Sequence, residues 1–188
     1  MRLIEEKRRL RAIMLERRLK VPFEEVFELS RRVQENFIST PEFKDSKRIA
    51  LYASFRNEVL TDDILTAAVK ERKEVFFPKL LGPDKIAFFA VRAKTELVQG
   101  SHDIPEPVRF GREENAATFD LMVAPGVVFD ENGGRIGYGK GYYDRILSEA
   151  RCRAVALAFD FQVITKVPSE EHDMTVDAIV TERRIIRV

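Results

Sequence analysis

Residues 121–144, LMVAPGVVFDENGGRIGYGKGYYD, decide how this chain is read. Leu121 to Val128 is the continuous apolar run of a buried strand, broken by Pro125 and Gly126, and Phe129 and Asp130 lead out of it into a loop. From Tyr142 to Ala150 the spacing is that of an amphipathic helix. Between them, Gly133 to Asp144 sets glycines around Arg135 and Lys140. Glycines let backbone N–H groups turn inward and approach an anion, and the following helix adds the positive end of its dipole. Lys140 adds a mobile positive charge. The order strand, loop, helix predicts a phosphate-binding loop.

Known phosphate motifs fit this loop only in part. Gly134 to Lys140 satisfies G-x-x-x-x-G-K, but Gly141 follows where a P-loop needs the Ser or Thr that holds magnesium. Gly137, Gly139 and Gly141 alternate as G-x-G-x-G, whereas a dinucleotide fingerprint needs G-x-G-x-x-G. Asp144, in the first turn of the helix, could supply the missing carboxylate for Mg²⁺. The bland alternative is a glycine-rich connector with a solvated lysine. The lysine, the paired tyrosines and the carboxylate together favour an anion site.

Composition bounds the function. A chain of 188 residues suits one domain with a sizeable core. Lys plus Arg number 32 against 31 Asp plus Glu, so no whole-molecule field argues for nucleic acid, and any basic site is local. The single Cys152 excludes an internal disulfide framework. No apolar run reaches a membrane span, and Met1 to Lys20 interleaves charge with Leu and Ile, unlike a signal segment. The expectation is a cytoplasmic protein that binds neither nucleic acid nor membrane.

Outward from the loop, elements alternate. Leu3, Leu10, Ile13, Met14 and the Arg17 stem mark one face of a basic first helix, and Phe23 to Phe37 forms a second after Pro22. Strands are expected at Ile49 to Ala53, at Glu74 to Phe77 (ended by Pro78), at Ile86 to Val91 and at Leu97 to Val98, with a helix over Thr61 to Arg72 capped by Thr61 or Asp62. Gly100 to Pro107 reads as a turn-rich loop. Ala154 to Phe159, Ala178 to Thr181 and Arg184 to Val188 complete the strands. Such a βαβ rhythm predicts an α/β layered fold with a mainly parallel sheet.

Ligands of open α/β sheets collect beyond the carboxyl ends of the strands, so other loops could converge on the glycine loop. After Ile49 to Ala53 come Arg56, suited to an anion, and Glu58, which could accept from an amino-bearing ring. In the acidic stretch Glu170 to Asp177, Asp173 is a candidate second metal ligand. Lys7 and Arg11, four apart on the first helix, share a face that could close over a polyphosphate. Each has a plainer reading as a solvated charge. His102 and His172 are not spaced as a zinc pair.

In order along the chain stand KRRLR (Lys7 to Arg11), NEVLT (Asn57 to Thr61), IPEP (Ile104 to Pro107), APGVVFDENGGRIGYGKGYYDR (Ala124 to Arg145) and HDMTVD (His172 to Asp177). With them the sequence resembles the 5-formyltetrahydrofolate cyclo-ligase family, or 5,10-methenyltetrahydrofolate synthetases, over nearly its whole length. The resemblance implies a three-layer α/β/α fold related to sugar-phosphate isomerases and CoA transferases, a single domain over residues 1–188, and a monomer. It implies ATP contacts from Lys7, Arg8, Arg11, Arg135, Gly137, Gly139, Lys140, Gly141 and Tyr143. Folate contacts are implied at Ala53, Glu58, Tyr138, Gly139, Lys140, Gly141 and Tyr142, and Mg²⁺ at Asp144 and Asp173. Lys140 and Arg11 are the implied catalytic cations. The implied reaction is ATP- and Mg²⁺-dependent closure of 5-formyltetrahydrofolate to the methenyl product, with release of ADP and phosphate. A sugar-phosphate or CoA-handling enzyme of the related fold, and a noncatalytic nucleotide- or RNA-binding module, are the rival readings.

Overall fold

The computed structural model describes residues 2–82, 85–100, 104–108 and 111–188. The chain opens with α1 (Arg2–Leu19), α2 (Phe23–Ser39), α3 (Pro41–Asp45), β1 (Arg48–Ala50), α4 (Asp62–Lys70), β2 (Glu74–Leu80) and β3 (Ile86–Ala90). It continues with β4 (Leu97–Gln99), β5 (Pro105–Pro107), β6 (Leu121–Ala124), β7 (Val128–Asp130), β8 (Arg135–Ile136) and α5 (Tyr142–Glu149). Last come β9 (Arg153–Leu157), β10 (Val163–Ile164), β11 (Ala178–Val180) and β12 (Ile185–Arg187).

Successive strand side chains point to opposite faces, and here both faces are buried. Leu121, Val123, Val155 and Leu157 pack with Val33 and Phe37 of α2 and Ile64 and Leu65 of α4. Their neighbours Met122, Ala124, Ala154 and Ala156 pack with Ile146 and Leu147 of α5. Helices on both faces of the seven-stranded sheet, ordered β12-β11-β9-β6-β1-β2-β3, make the expected layered α/β fold. The five central strands are parallel, and only the edge strands β12 and β3 run antiparallel. From β1 the chain adds β2 on one side and β6 then β9 on the other, so the order reverses between β1 and β6. A crevice opens beyond the strand ends at such a point.

Several sequence expectations are corrected. Leu121 to Val128 is two strands in different sheets: β6 is central, whereas β7 joins β8 and β10 in a small sheet. Pro125 offers no N–H, and at Gly126 a Cβ would come within 2.3 Å of the Phe129 ring, so the chain turns out between them. Within the glycine loop Arg135 and Ile136 form β8, paired antiparallel with β7, so the loop continues from the small sheet and not from a central strand. Pro78 does not end β2. Pairing with β1 stops at Ala50–Phe76, so farther on β2 has its ladder with β3 on one side, and a missing N–H on the other side is tolerated. Gly100 to Pro107 contains β5, paired with β4. Thr61 stands at the N-cap position of α4 as expected, but its hydroxyl donates to the Tyr52 carbonyl at 2.8 Å and caps no helix N–H. Instead Gln34 Oε1, from α2, accepts from the Asp63 and Ile64 N–H groups at 2.9 and 3.3 Å. On α1, Leu3 and Ile13 are exposed, and the inward side carries Lys7, Leu10, Arg11, Met14 and Arg18. Met14 packs on Val127, Val128 and Ile136, which docks α1 on the small sheet. His102 lies outside the described residues.

Buried Asp130 shapes the entry to the glycine loop. Its Oδ1 accepts from Asn132 and Gly134 N–H, both at 2.9 Å, and its Oδ2 from Val167 N–H at 2.6 Å. Gly133 adopts φ +78°, and a Cβ there would lie 2.3 Å from the Val176 carbonyl oxygen. Gly133→Ala is thus expected to cost about 2 kcal/mol or more, read as a lowered thermal midpoint.

Candidate active site

The crevice at the switch point is a cavity of about 1110 Å³. Its walls bring together Lys7 and Arg11 from α1, Ala53 and Glu58 from the segment after β1, the glycine loop from Arg135 to Gly141, Tyr142, Tyr143 and Asp144 of α5, and Asp173. Residues from four distant parts of the chain thus share one site. Arg8 does not join them: one step beyond Lys7 on the helix, its side chain is 77 % exposed and lies 3.9 Å from Glu5.

One end of the cavity is cationic. Arg11 Nε donates to the Gly137 carbonyl at 2.7 Å, and a Cβ on Gly139 would lie 3.2 Å from Arg11 Cζ. Gly139 and Gly141 adopt φ +91° and +66°, which glycine reaches without strain. Gly141 then serves as N-cap of α5, leaving that helix's first N–H groups without a side-chain cap. Arg135, 6 % exposed, holds Asp144 at 2.6 Å, while its buried Nε has no partner. Asp144 also accepts from Met174 N–H at 3.3 Å.

The Glu170–Asp173 loop borders this end. Lys7 Nζ bonds Asp173, and lies 3.0 Å from Glu170. Burial pulls the Lys7 pKa down, but the bonds to Asp173 and Glu170 outweigh it and raise it overall. For Asp173, burial pushes upward and is outweighed by Lys7 and the Glu170 N–H, which lower it. Ligand atoms of Glu170, His172 and Asp173 lie within 4.8 Å of one another.

A different environment surrounds Glu58, 5 % exposed. Its Oε1 accepts from the Tyr138 hydroxyl at 3.0 Å and its Oε2 from the Phe55 N–H at 3.1 Å. Burial pushes its pKa up to about 7, against Arg18, Tyr138 and the Phe55 N–H, which favour the charged form. Phe55 and Tyr138 rings pack with centroids 5.7 Å apart. Arg18, fully buried, was missed as a site residue; its signal was the continuation of the Lys7, Arg11, Met14 helical spacing.

A glycine loop at the switch point of a parallel sheet covered on both faces, facing cations and a buried carboxylate, defines an α/β enzyme cleft that carries both signs of charge. The sequence profile of the 5-formyltetrahydrofolate cyclo-ligase family matches residues 3–182, and the chain belongs to that family of enzymes. It is 33 % identical to the 5-formyltetrahydrofolate cyclo-ligase of Mus musculus, an alignment covering 95 % of this chain and 90 % of the mouse protein. The Escherichia coli K12 protein of the same name is 28 % identical, over 90 % of this chain and 97 % of its own. Among solved structures, the Aquifex aeolicus 5,10-methenyltetrahydrofolate synthetase superimposes with a TM-score of 0.86 at 38 % identity, covering 96 % of this chain and 92 % of that one.

Proposed function

We propose that this chain cyclises 5-formyltetrahydrofolate to 5,10-methenyltetrahydrofolate at the expense of ATP, with Mg²⁺, releasing ADP and phosphate. The observation that carries the reading is that the cationic glycine-loop end and buried Glu58 share one cavity. An N-formyl group is a poor electrophile, because its nitrogen lone pair is delocalised into the carbonyl. In the proposed reaction the formyl oxygen attacks the terminal phosphorus of ATP, and ADP leaves. The amine nitrogen at position 10 then adds to the activated carbon and loses its proton. Phosphate departs with the former formyl oxygen, leaving the closed ring.

Little covalent chemistry is asked of the protein; it aligns the two substrates and stabilises charge. Lys7, Arg11, Lys140 and the N–H groups of Gly137 to Gly141 would hold the phosphates. Glu58, with Ala53, Tyr138 and Tyr142, would hold the pterin. No side-chain nucleophile is required, and the Cys152 thiol, pushed up to about 11 by burial, suits packing.

The carboxylates of Asp173 and Asp144 suit Mg²⁺, an oxygen-seeking ion, and the fit is supported by the Lys7 ammonium, a cation already held at Asp173 and Glu170. When bound, the ion would neutralise charge on the transferring phosphoryl group. Lys7 competes for the same oxygens. Lys7→Met is therefore expected to tighten Mn²⁺ binding to the nucleotide-free protein by about tenfold, read by electron paramagnetic resonance. Equal affinities in the two proteins would separate Lys7 from the cation site.

The deciding experiment mixes the protein with 5-formyltetrahydrofolate, ATP and Mg²⁺ and follows the absorbance of the methenyl product, with ATP-free and metal-free controls. Product that needs both is expected. Folded protein that binds ATP and yields no product would transfer the cavity to another phosphate-handling reaction.

A further inference from the structure

Arg18 sits at the inner end of α1, a helix whose sequence reads as a solvated basic surface, yet its side chain is only 1 % exposed. All of its nitrogens are engaged at the switch point. Nε donates to the Arg56 carbonyl at 3.0 Å, Nη1 to the Gly126 carbonyl at 3.1 Å, and Nη2 to the Tyr138 hydroxyl. Nη2 also lies 3.9 Å from Glu58 Oε1. One guanidinium therefore ties together the segment after β1, the turn after β6 and the glycine loop. Burying a guanidinium is costly, and an apolar side chain would fill the space more cheaply if packing were the only requirement.

The geometry orders the polar groups facing the cavity. Because the Tyr138 oxygen accepts from Arg18, its proton is directed at Glu58 Oε1, 3.0 Å away. Glu58 Oε2 is held by the Phe55 N–H. Each carboxylate oxygen then keeps further acceptor capacity for a ligand donor. The backbone between is left-handed at two successive non-glycine residues, Arg56 (φ 48°) and Asn57 (φ 55°). Arg18 and Asn57 clamp that turn reciprocally: Arg18 holds the Arg56 carbonyl, and Asn57 Nδ2 donates to the carbonyls of Arg18 and Val21 at 3.2 and 3.0 Å. A strained turn persists only where its surroundings over-determine it.

We propose that Arg18 is a positioning residue of the folate pocket: through Tyr138 and the Arg56–Asn57 turn it sets the Glu58 carboxylate as acceptor for the donor edge of an amino-bearing ring. The proposal rests on the reading of Glu58 as a pterin ligand. It makes positions 18 and 138 one functional unit, in which α1 carries nucleotide contacts at Lys7 and Arg11 and orders the second substrate's site from its other end. A purely structural Arg18 would instead affect both substrates alike.

The test compares Arg18→Lys, Arg18→Met, Tyr138→Phe and the double variants. KM for each substrate is read from methenyl formation, and folate affinity without ATP from isothermal titration calorimetry. Lysine keeps the charge but cannot supply the three-way fork. Arg18→Lys is expected to weaken folate binding on the order of tenfold while the KM for ATP stays within about twofold. Adding Tyr138→Phe to an Arg18 variant is expected to cost far less than it does alone, since the two act through one bond. A folded Arg18→Lys protein with unchanged folate affinity, parallel rises in both KM values, or additive losses would overturn the proposal. Should neither Arg18 variant fold, Tyr138→Phe decides, and unchanged folate affinity there overturns it equally. Calorimetry keeps the two readings apart: folate that binds wild type without ever yielding product defeats the proposed reaction, not the positioning role.

Discussion

Lys140→Ala is expected to lower turnover by about 10²–10³-fold while the thermal midpoint moves by no more than about 2 °C. The side chain is exposed at the mouth of the cavity, on the glycine loop and next to the left-handed Gly139 and Gly141. An exposed lysine contributes little to folding, and surface substitutions usually fall within about 0.5 kcal/mol of neutral. Its charge counts instead where phosphoryl charge develops in a site partly closed to water. Steady-state kinetics beside a melting curve separates the two roles. Normal turnover with a lower midpoint would remove Lys140 from the chemistry.

Glu58→Gln should lower kcat/KM for folate on the order of a hundredfold and also change the shape of its pH profile. Burial has pushed the Glu58 pKa up to about 7. Only the carboxylate form accepts at both oxygens, and it is lost as pH falls. In the wild type, kcat/KM for folate should therefore fall by about tenfold per unit on the acid side of that value. Around the carboxylate stand Arg18, the Tyr138 hydroxyl and the Phe55 N–H, which favour its charged form, and Tyr52 and Tyr143, whose own pKa values are pushed up. Those tyrosines stay neutral across this range, so an acid limb that disappears on replacing Glu58 would belong to its carboxylate. Glutamine cannot titrate and turns a donor toward the pocket, so that limb should flatten in the variant. An acid limb that persists in Glu58→Gln would assign it to another group.

Much of the fold was legible in short-range pattern. Continuous apolar runs at residues 121–124 and 154–157 announce strands covered on both sides, and the residues they bury do line two separate faces. The pattern misleads where one apolar run serves two sheets. Leu121 to Val128 has uniform hydrophobicity, and only the burial of the Phe129 ring against Gly126 shows why β7 departs from β6. Pro78 looks like a strand end in sequence, but whether a strand residue needs its N–H depends on which neighbour it has lost, and that is a property of the sheet.

The candidate site divides along the same line. Lys7 and Arg11 could be paired from helical spacing alone, and the glycine loop could be found from glycine's conformational freedom beside a lysine. Those features are local, so the sequence by itself determined them, together with the layered α/β class and the family motifs. Which groups carry charge, and toward what, was decided only by tertiary structure. Lys7 meets Asp173 across 166 positions, and Arg18 meets Tyr138 across 120. Glu58 titrates near neutrality because the folded chain strips it of water. Desolvation and long-range pairing are properties of the packed interior, and no local pattern encodes them.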